Sequence, residues 1–106
     1  MPKYLIQANY VGEGVKGLLK DGGSKRKAAV ENLIESLSGK IESFYYSFGA
    51  TDLFVIGEFP DNTSLTAAVL SVNATGMCES KTTVLLSPEE LDEAAKKSPV
   101  YIAPGQ

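Results

Sequence analysis

The sequence predicts an α+β fold in the order β-α-β-β-α-β, followed by one further helix. Three observations carry this expectation. Two apolar stripes stand at i, i+3, i+4, i+7: Val30, Leu33, Ile34 and Leu37, then Leu65, Ala68, Val69 and Val72. Alternating or continuous apolar segments of strand length flank each stripe. Ser87-Pro88-Glu89-Glu90 opens the last helix with a capping box and a proline at the first helical position.

The elements follow in order. Lys3 to Tyr10 reads as a strand, with Tyr4, Ile6, Ala8 and Tyr10 alternating against Lys3, Gln7 and Asn9. Leu5 interrupts the alternation, so both faces of this strand are expected to be partly covered. Gly12 to Lys20 forms a short helix with Val15, Leu18 and Leu19 on one side, and Gly22-Gly23 breaks it. Ser24 is expected to cap a longer helix that runs to Leu37 and that Gly39 ends. Lys40 to Phe48 alternates again, Phe44, Tyr46 and Phe48 against Ser43, Tyr45 and Ser47. Gly49 to Asp52 is a turn. Leu53 to Phe59 is a more continuous apolar strand, as a central strand should be. Pro60-Asp61-Asn62 starts the next helix, Gly76 stops it, and Met77 to Leu86 is the fourth strand. The last helix places its acids first and Lys96-Lys97 last, matching its dipole, and Ser98-Pro99 ends it. Residues 98–106 form a tail without periodicity.

This order makes a ferredoxin-like sheet of antiparallel strands with the crossover helices on one face. One domain spanning residues 1–106 is expected. The opposite face is left open and partly apolar, which implies association. The closed solution is a two-fold homodimer, packed sheet against sheet. Tyr101 and Ile102 give the tail side chains that could dock on a neighbouring subunit.

Composition excludes much chemistry. There is no histidine, which removes Ser-His-Asp and Cys-His catalysis, His-ligated haem and most zinc sites. The single cysteine, Cys78, cannot form an intramolecular disulfide. A net charge of −3 gives no bulk attraction to nucleic acid or anionic membrane. No run approaches the ~18 apolar residues of a membrane span, and the first residues lack a signal-peptide core. A cytoplasmic location without nucleic-acid or membrane partners is expected, and no cofactor or metal.

Several motifs together carry a family resemblance. They are Met-Pro-Lys-Tyr-Leu-Ile-Gln-Ala at the start, Gly-Gly-Ser-Lys-Arg-Lys-Ala-Ala at the long helix, Phe-Tyr-Tyr-Ser-Phe-Gly-x-x-Asp at the second strand, Pro-Asp-Asn, and Lys-Thr-Thr-Val-Leu-Leu-Ser-Pro-Glu-Glu. The chain resembles the GYD domain family over nearly its whole length. The resemblance implies a dimeric α+β barrel of ferredoxin-like protomers and assigns no reaction. The family's Gly-x-Tyr-Asp turn here reads Gly49-Ala50-Thr51-Asp52, with threonine in the tyrosine's place. Glu79 stands before Ser80 where the family often carries a basic residue. Arg26, Tyr45, Asp52, Ser80 and Thr82 fall where the resemblance places candidate ligand-binding residues. The turn is also similar to one in the effector-binding domain of leucine-responsive regulators, which implies small-molecule sensing.

Each candidate has a plainer reading. Gly12-x-Gly14-x-x-Gly17 matches a dinucleotide fingerprint in letters. The chain is too short for a doubly wound sheet, so it reads as a glycine-rich short helix. Ser24-Lys25-Arg26-Lys27 is either a solvated cluster or an anion site at a helix N-terminus. Asp52 is either a turn carboxylate accepting backbone N–H bonds or a pocket acid near the dimer seam. Tyr45, Ser80 and Thr82 line a shared cavity if their strands are neighbours, with Gln7, Asn9 and Lys81 as alternatives. Cys78 reads as packing. The leading expectation is a non-catalytic module that binds a small molecule or acts by assembly. The alternative is a cofactor-independent monooxygenase or isomerase with Tyr45 and Asp52 as acid and base.

Overall fold

The computed structural model describes residues 1–106. Its elements are β1 (Lys3–Tyr10), α1 (Glu13–Asp21), α2 (Gly23–Ser36), β2 (Lys40–Tyr46), β3 (Leu53–Glu58), α3 (Asn62–Asn73), β4 (Cys78–Leu85) and α4 (Pro88–Lys96). The four strands form one antiparallel sheet in the order β2-β3-β1-β4. This is the expected ferredoxin-like α+β arrangement. No helix is long and apolar enough to cross a membrane.

Both expected stripes face the sheet. Ile34 of α2 and Leu65 and Ala68 of α3 are buried against Tyr4 and Phe59. A second cluster joins Ala8, Leu53 and Val55, with Phe44 and Tyr46 packed against it. Side-chain parity then assigns the faces. Tyr4, Ile6, Ala8 and Tyr10 point to the helices, and Leu5, Gln7 and Asn9 to the open side. A bulge between Ile41 and Ser43 keeps Phe44 and Tyr46 on the helix side.

The helix ends differ from expectation in two places. Ser24 caps nothing: α2 starts at Gly23, and Gly22, at φ 82°, makes the turn from α1. Only glycine takes that backbone cheaply, so the helix begins before Ser24 can act. At the other end Ser38, not Gly39, adopts the left-handed conformation, with φ 63°. Ser38 N–H donates to the Glu35 carbonyl and Gly39 N–H to the Ile34 carbonyl, both at 3.0 Å, a Schellman closure. Gly39 is there for close approach: a Cβ would meet the Glu58 carbonyl and Ile34. The capping box at Ser87 forms as expected, with Glu90 N–H donating to Ser87 Oγ at 3.1 Å and Ser87 N–H to Glu90 Oε1 at 3.0 Å.

The Gly12-x-Gly14-x-x-Gly17 segment has a packing role. Gly12 turns the chain out of β1 at φ 52°. Gly14 is buried against the Met77 carbonyl, which Val11 N–H holds at 2.9 Å. The expected apolar side of α1 is covered only in part: Leu18 is half-buried, while Val15 and Leu19 are exposed.

Beyond β4 the chain leaves the body. Every residue from Pro88 to Gln106 is exposed. The longest dimension is 57 Å and the radius of gyration 17.0 Å, against about 13 Å for a compact chain of this length.

Gly14→Ala is expected to destabilise by about 2 kcal/mol, because its methyl would press on fixed backbone. Gly17→Ala faces open space and is expected to be neutral or stabilising by up to ~1 kcal/mol. Urea unfolding of the two variants checks the contrast.

Candidate functional site

The sheet order separates residues that sequence spacing had grouped. Tyr45 pairs with Phe54 on the open face of edge strand β2. Ser80 and Thr82 lie on the opposite edge, β4, and point to the helix side, across from Ala8 and Ile6. Two strands and the sheet itself stand between them, so the shared cavity expected of Tyr45, Ser80 and Thr82 does not form within the chain. Thr82 is exposed beyond the helices' cover.

Asp52 is a turn anchor. Its Oδ2 accepts the Tyr10 N–H at 2.9 Å. Its own N–H donates to Asn9 Oδ1 at 2.8 Å and to the Ala8 carbonyl at 3.2 Å. The Gly-x-x-Asp turn is thereby fastened to the end of β1, and the carboxylate is committed to backbone.

Arg26 and Ser80, by contrast, meet at one cavity. It lies between the sheet and α2–α3, with a volume of about 80 Å³. Ile6, Ala8 and Val55 line the sheet side, and Val30, Leu33 and Val69 the helix side. Arg26 comes from the first turn of α2. A wider cleft of about 410 Å³ adjoins it, bounded by Gly14 and Leu18 of α1 and by Ser71 and Thr75 beyond. Tyr10, Arg26, Leu33, Val72 and Cys78 line both spaces.

Two acidic protons are retained there. Burial pushes the Cys78 thiol up; Asp52 adds to this and Arg26 opposes it. Burial, then Tyr46, push the Tyr10 phenol well above its ordinary range, again against Arg26. The Tyr46 hydroxyl donates to the Gly23 carbonyl at 3.1 Å, tying β2 to the start of α2. Cys78 is half-buried, consistent with its packing role. Tyr10 and Tyr46 were not singled out as site residues from sequence. Their places at the ends of alternating strands, Tyr10 before a short helix and Tyr46 before the Gly49–Asp52 turn, were the available signal.

A third cleft, of about 320 Å³, is polar and uses the other parity. Gln7, Asn9, Thr51, Glu79 and Lys81 line it. The alternative residues named from sequence thus converge, near the turn and away from Arg26. Neither Tyr45 nor Asp52 lines any of these three spaces. No three Cys, Asp or Glu side chains converge as metal ligands.

A family model described as the GYD domain matches residues 4–95. The chain belongs to the GYD domain family. No curated protein matches it. The family match spans all four strands and nearly all of α4, and leaves the apolar tail outside. In this GYD domain the glycine–aspartate turn works through its carboxylate, and Thr51 faces the polar cleft.

The raised acids predict a pH dependence. The folded state keeps protons that the unfolded chain releases, so their contribution is whole at neutral pH and falls as pH rises. Stability to urea is expected to decline above about pH 8.5 through the thiol and more steeply above about pH 10 through the phenol, the ordinary values at which the unfolded chain lets each proton go. Tyr10→Phe with Cys78→Ser is expected to flatten that decline. Iodoacetamide should label Cys78 of the folded protein more slowly than the urea-unfolded chain.

Proposed function

We propose that this protein is a non-catalytic, self-associating module of the cytoplasm that takes up a small ligand. Two copies pack open face on open face as a dimeric α+β barrel. The observation that carries this reading is the character of the uncovered sheet face. Leu5, Phe54 and Ile56 occupy its centre, with exposed Tyr45 beside them and Leu85 at the end of the β4 edge. Charged residues rim it. Lys3 pairs with Glu42 at 2.7 Å and Lys40 with Glu58 at 3.3 Å at one end. Glu79 and Lys81 stand at the other. An apolar centre with a polar rim is the anatomy of a protein interface. Both signs occur at each end, so a two-fold copy meets no single-sign field.

The exposed arm supports the same reading. Leu91, Val100, Tyr101 and Ile102 are all more than half exposed. They are side chains that a second copy would cover.

The enzyme reading is not favoured. Its two acid–base candidates lie apart, one on the open face and the other bound to backbone.

Native mass spectrometry of untreated protein tests the proposal. A dimer is expected, retaining small-molecule mass. Ile56→Asp is expected to give a monomer with unchanged far-ultraviolet circular dichroism; a wild-type monomer would overturn the dimer. Deleting residues 98–106 is expected to weaken dimer affinity by roughly tenfold, the scale of one well-packed apolar anchor. Unchanged affinity would remove the arm from the interface.

A further inference from the structure

We propose that the cavity between the sheet and α2–α3 binds a small carboxylate with a short apolar body. The carboxylate sits on Arg26 at the mouth, and the hydrocarbon enters the chamber. This rests on the reading of the protein as a ligand-binding module and names the ligand class.

The chamber itself selects the body. Twelve of its 14 lining residues are hydrophobic. Its volume of about 80 Å³ is several times the ~10–15 Å³ that one water needs, yet apolar walls give water no partners. Such a space favours an apolar group. The two polar liners are Ser80 and Arg26. Ser80 is already engaged, its hydroxyl donating to Asn73 Oδ1 at 3.0 Å.

Arg26 selects the head. Its charged neighbour is Asp21, with Nη1 to Oδ2 at 3.6 Å, beyond good hydrogen-bond length. Asp21 is also shared with Lys25 at 3.7 Å. The planar guanidinium therefore keeps donors free, in the fork that matches a carboxylate. The first turn of α2 contains no acid, so its N–H groups add potential of the same sign. Tyr10 also lines this space. Asp21 beside the one guanidinium disfavours a dianion such as a phosphate monoester.

Hexanoate is the probe, followed by calorimetry and by amide chemical shifts. Acetate supplies the head alone, and hexan-1-ol the body alone. Hexanoate is expected to shift amides of α2, α3 and β4, and to bind at least roughly tenfold tighter than either half-ligand. Arg26→Gln is expected to weaken hexanoate by roughly tenfold, the scale of charge-assisted hydrogen bonds, while hexan-1-ol is unaffected. Val69→Phe, which narrows the chamber, is expected to weaken both. The amide spectrum of each variant verifies its fold. Equal hexanoate affinity in wild type and Arg26→Gln would overturn the proposal, as would shifts confined to the open sheet face. No hexanoate binding, with other small-molecule mass retained in native spectra, would overturn the ligand class and leave the module reading standing. No binding and no retained mass would overturn both.

Discussion

Tyr4, Ile34 and Phe59 are the largest side chains that water scarcely reaches. They meet where β1, α2 and the end of β3 converge. The Tyr4 ring stands edge-on to Phe59 at 5.9 Å, and its hydroxyl donates to Asn62 Oδ1 at the start of α3. Burial of each such side chain contributes about 1.5–3 kcal/mol. The hydroxyl also needs a partner at that depth, and Asn62 supplies it. One residue of the central strand thereby binds both crossovers to the same face.

The remaining architecture follows from that attachment. With α2 and α3 on one side, the other side of the sheet has no cover from its own chain. Two helices also cannot cover four strands evenly. Packing is tight around Tyr4 and loosens toward Tyr10 and Cys78, where the chamber opens and Arg26 reaches its mouth. At the β4 edge, Val84 points to the helix side and is still 57% exposed. The bare sheet face and the apolar chamber are two consequences of one packing decision. Electrostatics contributes little to this frame. The ion pairs are surface pairs, worth little each.

Much of this was legible in the sequence, and residues show why. The stripes at Val30–Leu37 and Leu65–Val72 report the helical period wherever an amphipathic helix lies on a core. Ser87 and Glu90 cap each other across one turn, so local letters suffice. Ser24 misled because its capping role depended on the backbone before it, and Gly22 had already turned the chain at φ 82°. Gly39 misled because a glycine at a helix end serves either a left-handed turn or a close approach. The Glu58 carbonyl made it the second. Arg26 and Ser80 were named without the knowledge that they share a cavity, and Tyr45 was grouped with residues on the far edge.

The sequence by itself determined the order of elements, most of their limits, the family and the absence of histidine chemistry. These rest on periodicity, capping and composition, which act over one or two turns of chain. Tertiary structure alone decided the strand order β2-β3-β1-β4, the covered face and the cavity beside Arg26. Those depend on pairs such as Tyr4 with Asn62, 58 positions apart. Such pairs leave no mark in local spacing, because loop closure costs entropy only logarithmically in length and packing then chooses among the partners.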